Sequence, residues 1–149
     1  MTKPRRVVIT GIGAVTPIGS GVDGLWAGLR AQRSAIKVID RFDPSPFRSH
    51  CAGQVDDFNP VDFISAKRAK RMDRCSQMGL AAARMALTDA ALRLEAEDSE
   101  RMGVMMGTAL GGVTMGEAQH EAYLTGGIRA VDPSVALTVF AGAASCNVA

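Results

Sequence analysis

No proline occurs between Ala66 and Ala91, and alanine and methionine dominate that stretch. Good helix formers without a breaker predict one long helix. Met78, Ala82, Met85, Ala86 and Leu87 supply its apolar spacing. Ala82, Ala86 and Ala90 stand at i, i+4 and i+8, so one stripe is small enough to admit close packing by another element. Shorter segments surround this helix. Val7–Thr10 is a β-branched run entering Gly11 and Gly13, which reads as a buried strand running into a turn. Gly21–Arg33 carries Val22, Leu25, Trp26 and Leu29 at helical spacing, with Asp23 early and Arg30 and Arg33 late. That pattern predicts an amphipathic helix whose charges suit its dipole. The two prolines within Asp40–Ser49 predict a turn-rich loop, and Cys51–Val55 a weak strand. Arg101–Gly107 reads as a second strand, and Thr114–Leu124 as a short helix stopped by Gly126-Gly127. Strands alternating with helices predict an α/β fold.

The 149 residues are one domain's worth of chain. Their 17 basic and 15 acidic residues leave a net charge of +2, so no global attraction to nucleic acid is expected. Aromatic residues make up only 5%, too few for a base-stacking platform. Cys51, Cys75 and Cys146 are odd in number and widely spaced. That argues against a zinc site or disulfide framework and for a reducing, cytoplasmic setting. Gly11, Gly13 and Pro17 interrupt the apolar N-terminal run before it resembles a signal peptide. From Pro133 to Ala149 there is no charge, but small and polar residues fill the stretch. A buried helix is expected there, not a membrane span.

Three groups of residues invite a chemical reading. Val7–Gly19 begins like a dinucleotide fingerprint, yet Thr16 stands where the third glycine belongs and Pro17 where a helix should be running. A structural glycine turn is the better reading. Lys67, Arg68, Lys70, Arg71 and Arg74 form a basic run. On a continuous helix, positions 67, 70, 71 and 74 share a face about 100° wide. That face is either a solvated helix end or a docking patch for an acidic partner. Cys146 lies in the charge-free stretch with no histidine after it, which favours a buried structural thiol over a nucleophile. His50 and His120 have no visible partner and receive no catalytic role.

Six segments then occur in a familiar order. They are residues 7–19, Phe42-Asp43, Ala52-Gly53, Asp57-Phe58, Lys70-Arg71-Met72-Asp73 and Gly107-Thr108-Ala109-Leu110-Gly111-Gly112. Together they resemble the start of a β-ketoacyl-[acyl-carrier-protein] synthase of the elongating type, nearest to the synthase II group. The resemblance implies a thiolase-like α-β-α-β-α layered fold, of which residues 1–149 are an incomplete domain covering most of the first half. It places the nucleophilic cysteine and the catalytic histidines beyond Ala149, so no catalytic residue is expected in this chain and Cys146 is not the nucleophile. Condensation and independent folding by this segment alone are not expected, because a half-built core leaves apolar faces exposed.

The resemblance also assigns partners. The basic run maps to the region that binds acyl carrier protein, with Lys67, Lys70 and Arg71 the nearest matches. Leu110 matches an apolar position gating the acyl pocket. Val135 matches a pocket position contributed across a homodimer and usually filled by a larger aromatic. No metal and no cofactor of the protein's own are implied, since phosphopantetheine arrives on the carrier. The expected reaction is decarboxylative condensation of malonyl-carrier protein with an acyl-enzyme thioester. Two rivals share the fold: a polyketide ketosynthase, which the Phe42–Ser49 segment resembles equally well, and a catalytically silent chain-length factor. A free-standing nucleotide-binding domain is the remote alternative.

Overall fold

The structure is a computed structural model and describes residues 4–149. The described chain divides into two compact units.

The first unit comprises the described residues of Met1–Asp57 together with Arg84–Arg93. Strands β1 (Val15–Thr16) and β2 (Gly19–Ser20) make a tight antiparallel hairpin that leads directly into α1 (Gly21–Arg30). Helix α1 ends one turn before the expected Arg33, and the Arg33 guanidinium turns back to donate to the Ile18 carbonyl at 3.1 Å. Its apolar stripe is largely uncovered: Val22, Trp26 and Leu29 are exposed, with Arg30 stacked over the Trp26 ring. Strand β3 (Ile36–Val38) pairs antiparallel with β4 (Cys51–Gly53), the central pair being Lys37 and Ala52. Beside this ladder, Lys37 bridges Asp40 at 3.0 Å and Asp56 at 2.8 Å.

The expected buried strand at Val7–Thr10 is not one. Residues 4–14 run without a ladder among the described residues, and Val7 is 92% exposed. A strand exists only through a pairing partner, and none of the described segments supplies it. The small-residue stripe does receive a neighbour. Gly11 lies against Ala86 and Ala90, and the Ile12 N–H donates to the Asp89 carboxylate at 2.9 Å.

The second unit comprises Phe58–Ala83 and Leu94–Ala149. Ile64, Ala69, Met72 and Leu80 form its core, with Phe63 and Val148 packed against them. The single helix expected over Ala66–Ala91 is broken into α2 (Ala66–Ala69) and α3 (Arg74–Asp89). After the Lys70 N–H bonds the Ala66 carbonyl, the pattern tightens. Arg71 bonds Arg68 and Met72 bonds Ala69, three residues back, and the helix stops. Asp73 then starts α3 by accepting the Cys75 N–H at 2.9 Å. Aspartate competes with the helix interior and prefers a cap, so the break falls at a residue suited to it.

Helix α4 (Val113–Gly126) extends a little beyond the expected Thr114–Leu124. Gly127 stops it at φ +70°, with its N–H on the Tyr123 carbonyl at 2.8 Å. The expected strand at Arg101–Gly107 carries no ladder among the described residues and is mostly exposed. The charge-free tail forms two short helices, α5 (Val135–Thr138) and α6 (Ala143–Val148), in place of one buried helix. Thr138, Ala143 and Ala144 are buried, while Leu137 and Phe140 face outward. Among the described residues no helix is long and apolar enough to cross a membrane.

Candidate functional site

The second unit presents a basic corner where α2 gives way to α3. Ile64, Ala69 and Met72 turn inward, which leaves the intervening cations at the surface. The break dissolves the single basic face expected on a continuous helix, because residues 71 and 74 no longer share α2's axis. The five cations instead divide by what they touch. Arg68 donates to the Asn147 carbonyl and ties α2 to α6. Arg74 lies over the Phe58 ring, 5.4 Å from its centroid. Arg71 is exposed and acts on Asp132, whose carboxyl is held below its ordinary range. The Ser134 backbone N–H is the main cause, the Ser134 hydroxyl the next, and the Arg71 charge adds to both. Lys67 and Lys70 are exposed and, among the described residues, form no ion pair. They are the cations most available to a partner.

Two side chains that the sequence reading left without a role hold this corner. Asp73 is 4% exposed, and besides capping α3 it accepts the Met115 N–H at 3.3 Å. Gln77 points its amide back at the carbonyls of Ala69 and Met72, at 2.9 and 3.1 Å, joining the Met72 N–H on the first and supplying a donor to the second where the helix breaks. An aspartate just after a basic cluster and just before a helix-forming run was the available sign of Asp73.

The Gly107–Gly112 turn carries the first pocket candidate. Thr108 Oγ1 accepts the Gly111 N–H at 3.1 Å and closes the turn. Gly112, the residue before α4, lies so close to the next segment that a Cβ there would stand 2.2 Å from the Thr138 carbonyl oxygen. A Cβ on Gly111 would stand 3.1 Å from the Ala141 Cα. The turn is therefore clamped against residues 138–141. Leu110, 72% exposed, stands on one of these two segments. Val135, half-buried, opens the short helix leading into the other.

The remaining candidates are exposed or serve packing. Cys146 is exposed on α6, not buried as expected, because Ala143 and Ala144 take the inward positions of that short helix. His50 is exposed and its carbonyl accepts the Ile39 N–H; His120 is exposed on α4. Within residues 7–19, Gly11 serves packing, since it is occluded by Ala86 and Ala90 and the next N–H is taken by Asp89. Among the described residues no group of three His, Cys, Asp or Glu side chains is placed to hold a metal ion.

Residues 4–149 match the family described as beta-ketoacyl synthase, N-terminal domain. A curated relative, 3-oxoacyl-[acyl-carrier-protein] synthase 2 of Staphylococcus aureus (strain COL), is 39% identical over 133 residues. That match takes in 89% of this chain and 32% of the relative, so the chain spans about a third of the relative's length. Among solved structures, the ishigamide ketosynthase/chain length factor superimposes with a TM-score of 0.79 at 37% identity. The match covers 97% of this chain and 36% of that one. A type II polyketide synthase acyl-carrier protein in complex with its ketosynthase bound to the hexaketide gives 0.80 at 25% identity, covering 97% and 38%.

Proposed function

The chain belongs to the β-ketoacyl synthase family, with the thiolase-like α/β fold of its structural neighbours, and on that premise we propose that the whole protein is a 3-oxoacyl-[acyl-carrier-protein] synthase of fatty-acid elongation. The observation that carries this is the family match across residues 4–149, joined to a relative of that name at 39% identity. In this reading a cysteine outside the segment takes an acyl group from carrier-protein phosphopantetheine as a thioester. Malonyl-carrier protein then loses carbon dioxide, and its carbanion attacks the thioester carbonyl. The new C–C bond forms as the C–S bond breaks, which frees the cysteine thiolate and leaves a 3-oxoacyl carrier. Backbone N–H groups stabilise the transient oxyanion. The protein works in the cytoplasm as a homodimer, without a metal or cofactor of its own.

This segment's part is recognition. Lys67 and Lys70, with Arg71 beside them, offer positive charge to an acidic carrier protein, and such charge steers encounter. Leu110 and Val135 line the acyl pocket, Val135 across the dimer. Incubating the whole protein with acyl- and malonyl-carrier proteins tests the activity. Mass spectrometry is expected to find a 3-oxoacyl carrier lengthened by one two-carbon unit, with one carbon dioxide released per condensation. Absence of both products would remove the proposal.

Two neighbouring structures, a ketosynthase/chain length factor and a type II polyketide synthase ketosynthase with its acyl-carrier protein, favour a second reading, a polyketide ketosynthase or its chain-length factor. A ketosynthase of that kind extends its own unreduced 3-oxo product repeatedly, whereas an elongation synthase stops after one round until the ketone is reduced. A chain-length factor alone condenses nothing.

A further inference from the structure

We propose that Asp73 is a positioning residue: one carboxylate that sets the basic corner and the Leu110-bearing turn in register with each other. The proposal deepens the docking and pocket roles given above and rests on them. An N-cap needs a single acceptor, and Oδ1 of Asp73 meets that need at the Cys75 N–H, the second residue of α3. Its other oxygen accepts from Met115, the third residue of α4. One buried side chain thus satisfies an orphan donor at two helix N-termini and faces the positive end of both dipoles.

Each end of this link leads to a proposed contact. Lys70 and Arg71 lie three and two residues before Asp73, and Gln77 fastens the carbonyls of Ala69 and Met72 to the same helix start. Met115 follows Gly112, which is clamped against Thr138, and Leu110 precedes it in that turn. The carrier-facing cations and the pocket-facing leucine therefore reference one carboxylate.

Asp73→Ser in the whole protein separates the two bonds. Serine caps α3 as well as aspartate does, but one short hydroxyl cannot hold both N–H groups. Amide hydrogen exchange at Met115 is expected to quicken about tenfold while Cys75 keeps its protection. The KM for an acyl-carrier substrate should rise about threefold or more, and the product chain-length distribution should shift. Turnover of a short acyl thioester that lacks the carrier should stay unchanged. If Met115 is released yet the carrier KM and chain-length profile stay at wild-type values, the proposal is overturned. Equal losses on carrier-bound and carrier-free substrates would also overturn it, since they report only general destabilisation. Should the serine variant not fold, the near-isosteric Asp73→Asn, which keeps one acceptor oxygen and puts an NH2 donor in place of the other, is read in the same way. The double reversal Lys67→Glu with Lys70→Glu separates the premises. If it leaves the carrier KM unchanged, the docking reading fails and this proposal with it. If it raises KM where the Asp73 variants do not, only the role of Asp73 fails.

Discussion

Gly11 approaches Ala86 so closely that a Cβ built on it would stand 2.2 Å from the Ala86 carbonyl oxygen, with Ala90 N at 2.7 Å. The opposing atoms are helix backbone, which cannot swing aside as a flexible side chain would. Gly11→Ala is therefore expected to cost about 1–3 kcal/mol through forced separation of the two segments. Gly103→Ala serves as the control, because a Cβ there meets nothing within 4 Å. It should move stability by less than about 0.5 kcal/mol. Urea denaturation of the whole protein compares the two, and equal midpoints would contradict the packing argument.

The same contact marks what was legible in the sequence. The stripe of Ala82, Ala86 and Ala90 announced a close neighbour, and Gly11 supplies it at Ala86 and Ala90. Helices α1 and α4 were readable because their signals are local: apolar spacing in one, and in the other a glycine stop that Gly127 performs at φ +70°. Val7–Thr10 and Arg101–Gly107 were readable as extended and apolar but not as strands, since pairing belongs to two segments and a single one does not encode it. Strand β3 escaped notice for the converse reason, being three residues made regular only by β4. The break at Lys70–Asp73 was hidden by good helix propensity on both sides. Its buried acceptor is completed by Met115, 42 residues away. Of the basic run, composition located the charges, but only packing distinguished Arg68 and Arg74, which hold the fold, from Lys67 and Lys70.

That distinction predicts opposite phenotypes at neighbouring positions. Lys67→Glu with Lys70→Glu should weaken carrier-protein binding about tenfold or more at low salt and flatten its salt dependence, with little change in melting temperature. Arg68→Gln should do the reverse. Loss of its bond to the Asn147 carbonyl costs about 1 kcal/mol of stability, while carrier affinity changes less. Calorimetric titration and thermal melts on the same samples check both. A tenfold affinity loss for Arg68→Gln, with none for the lysines, would reverse the assignment.

Lys37 and Asp40 predict a pH signature in the first unit. Hydrogen bonds from the Lys37 ammonium to Asp56, then Asp40, raise the Lys37 pKa above its ordinary 10.5. Bonds from Lys37 and then Gln54 lower that of Asp40 below its ordinary 3.8. A depressed carboxyl stabilises the fold fully above its ordinary value and loses that contribution as pH falls through the folded value. A raised ammonium stabilises it fully below its ordinary value and loses that as pH rises through the folded value. The destabilisation caused by Lys37→Met should therefore be largest between those limits and fade at both extremes. Melts of wild type and variant at about pH 2, 7 and 12 measure it. The effect is small and salt-sensitive, because all three side chains are substantially exposed. A difference that stays constant across the range would exclude the ion pairs as its source.

Gly112 and Val135 allow the pocket reading to be tested from two directions. A Cβ on Gly112 would stand 2.2 Å from the Thr138 carbonyl oxygen, so Gly112→Ala must push the Leu110 turn away from the end of α5. Val135→Phe leaves that clamp intact and adds bulk on α5, where the resemblance to elongating synthases expects a larger aromatic. If both positions serve one acyl pocket, Val135→Phe shortens the longest acyl chain the whole protein extends, without loss of rate on short chains. Gly112→Ala broadens or shifts the distribution and also costs about 1–3 kcal/mol of stability. The discriminating measurement is the product profile by mass spectrometry across a series of acyl-carrier substrates. A steric wall acts by chain length, so Val135→Phe should lower kcat/KM steeply beyond one length and leave shorter substrates unchanged. A uniform decrease at every length would place Val135 away from the acyl chain.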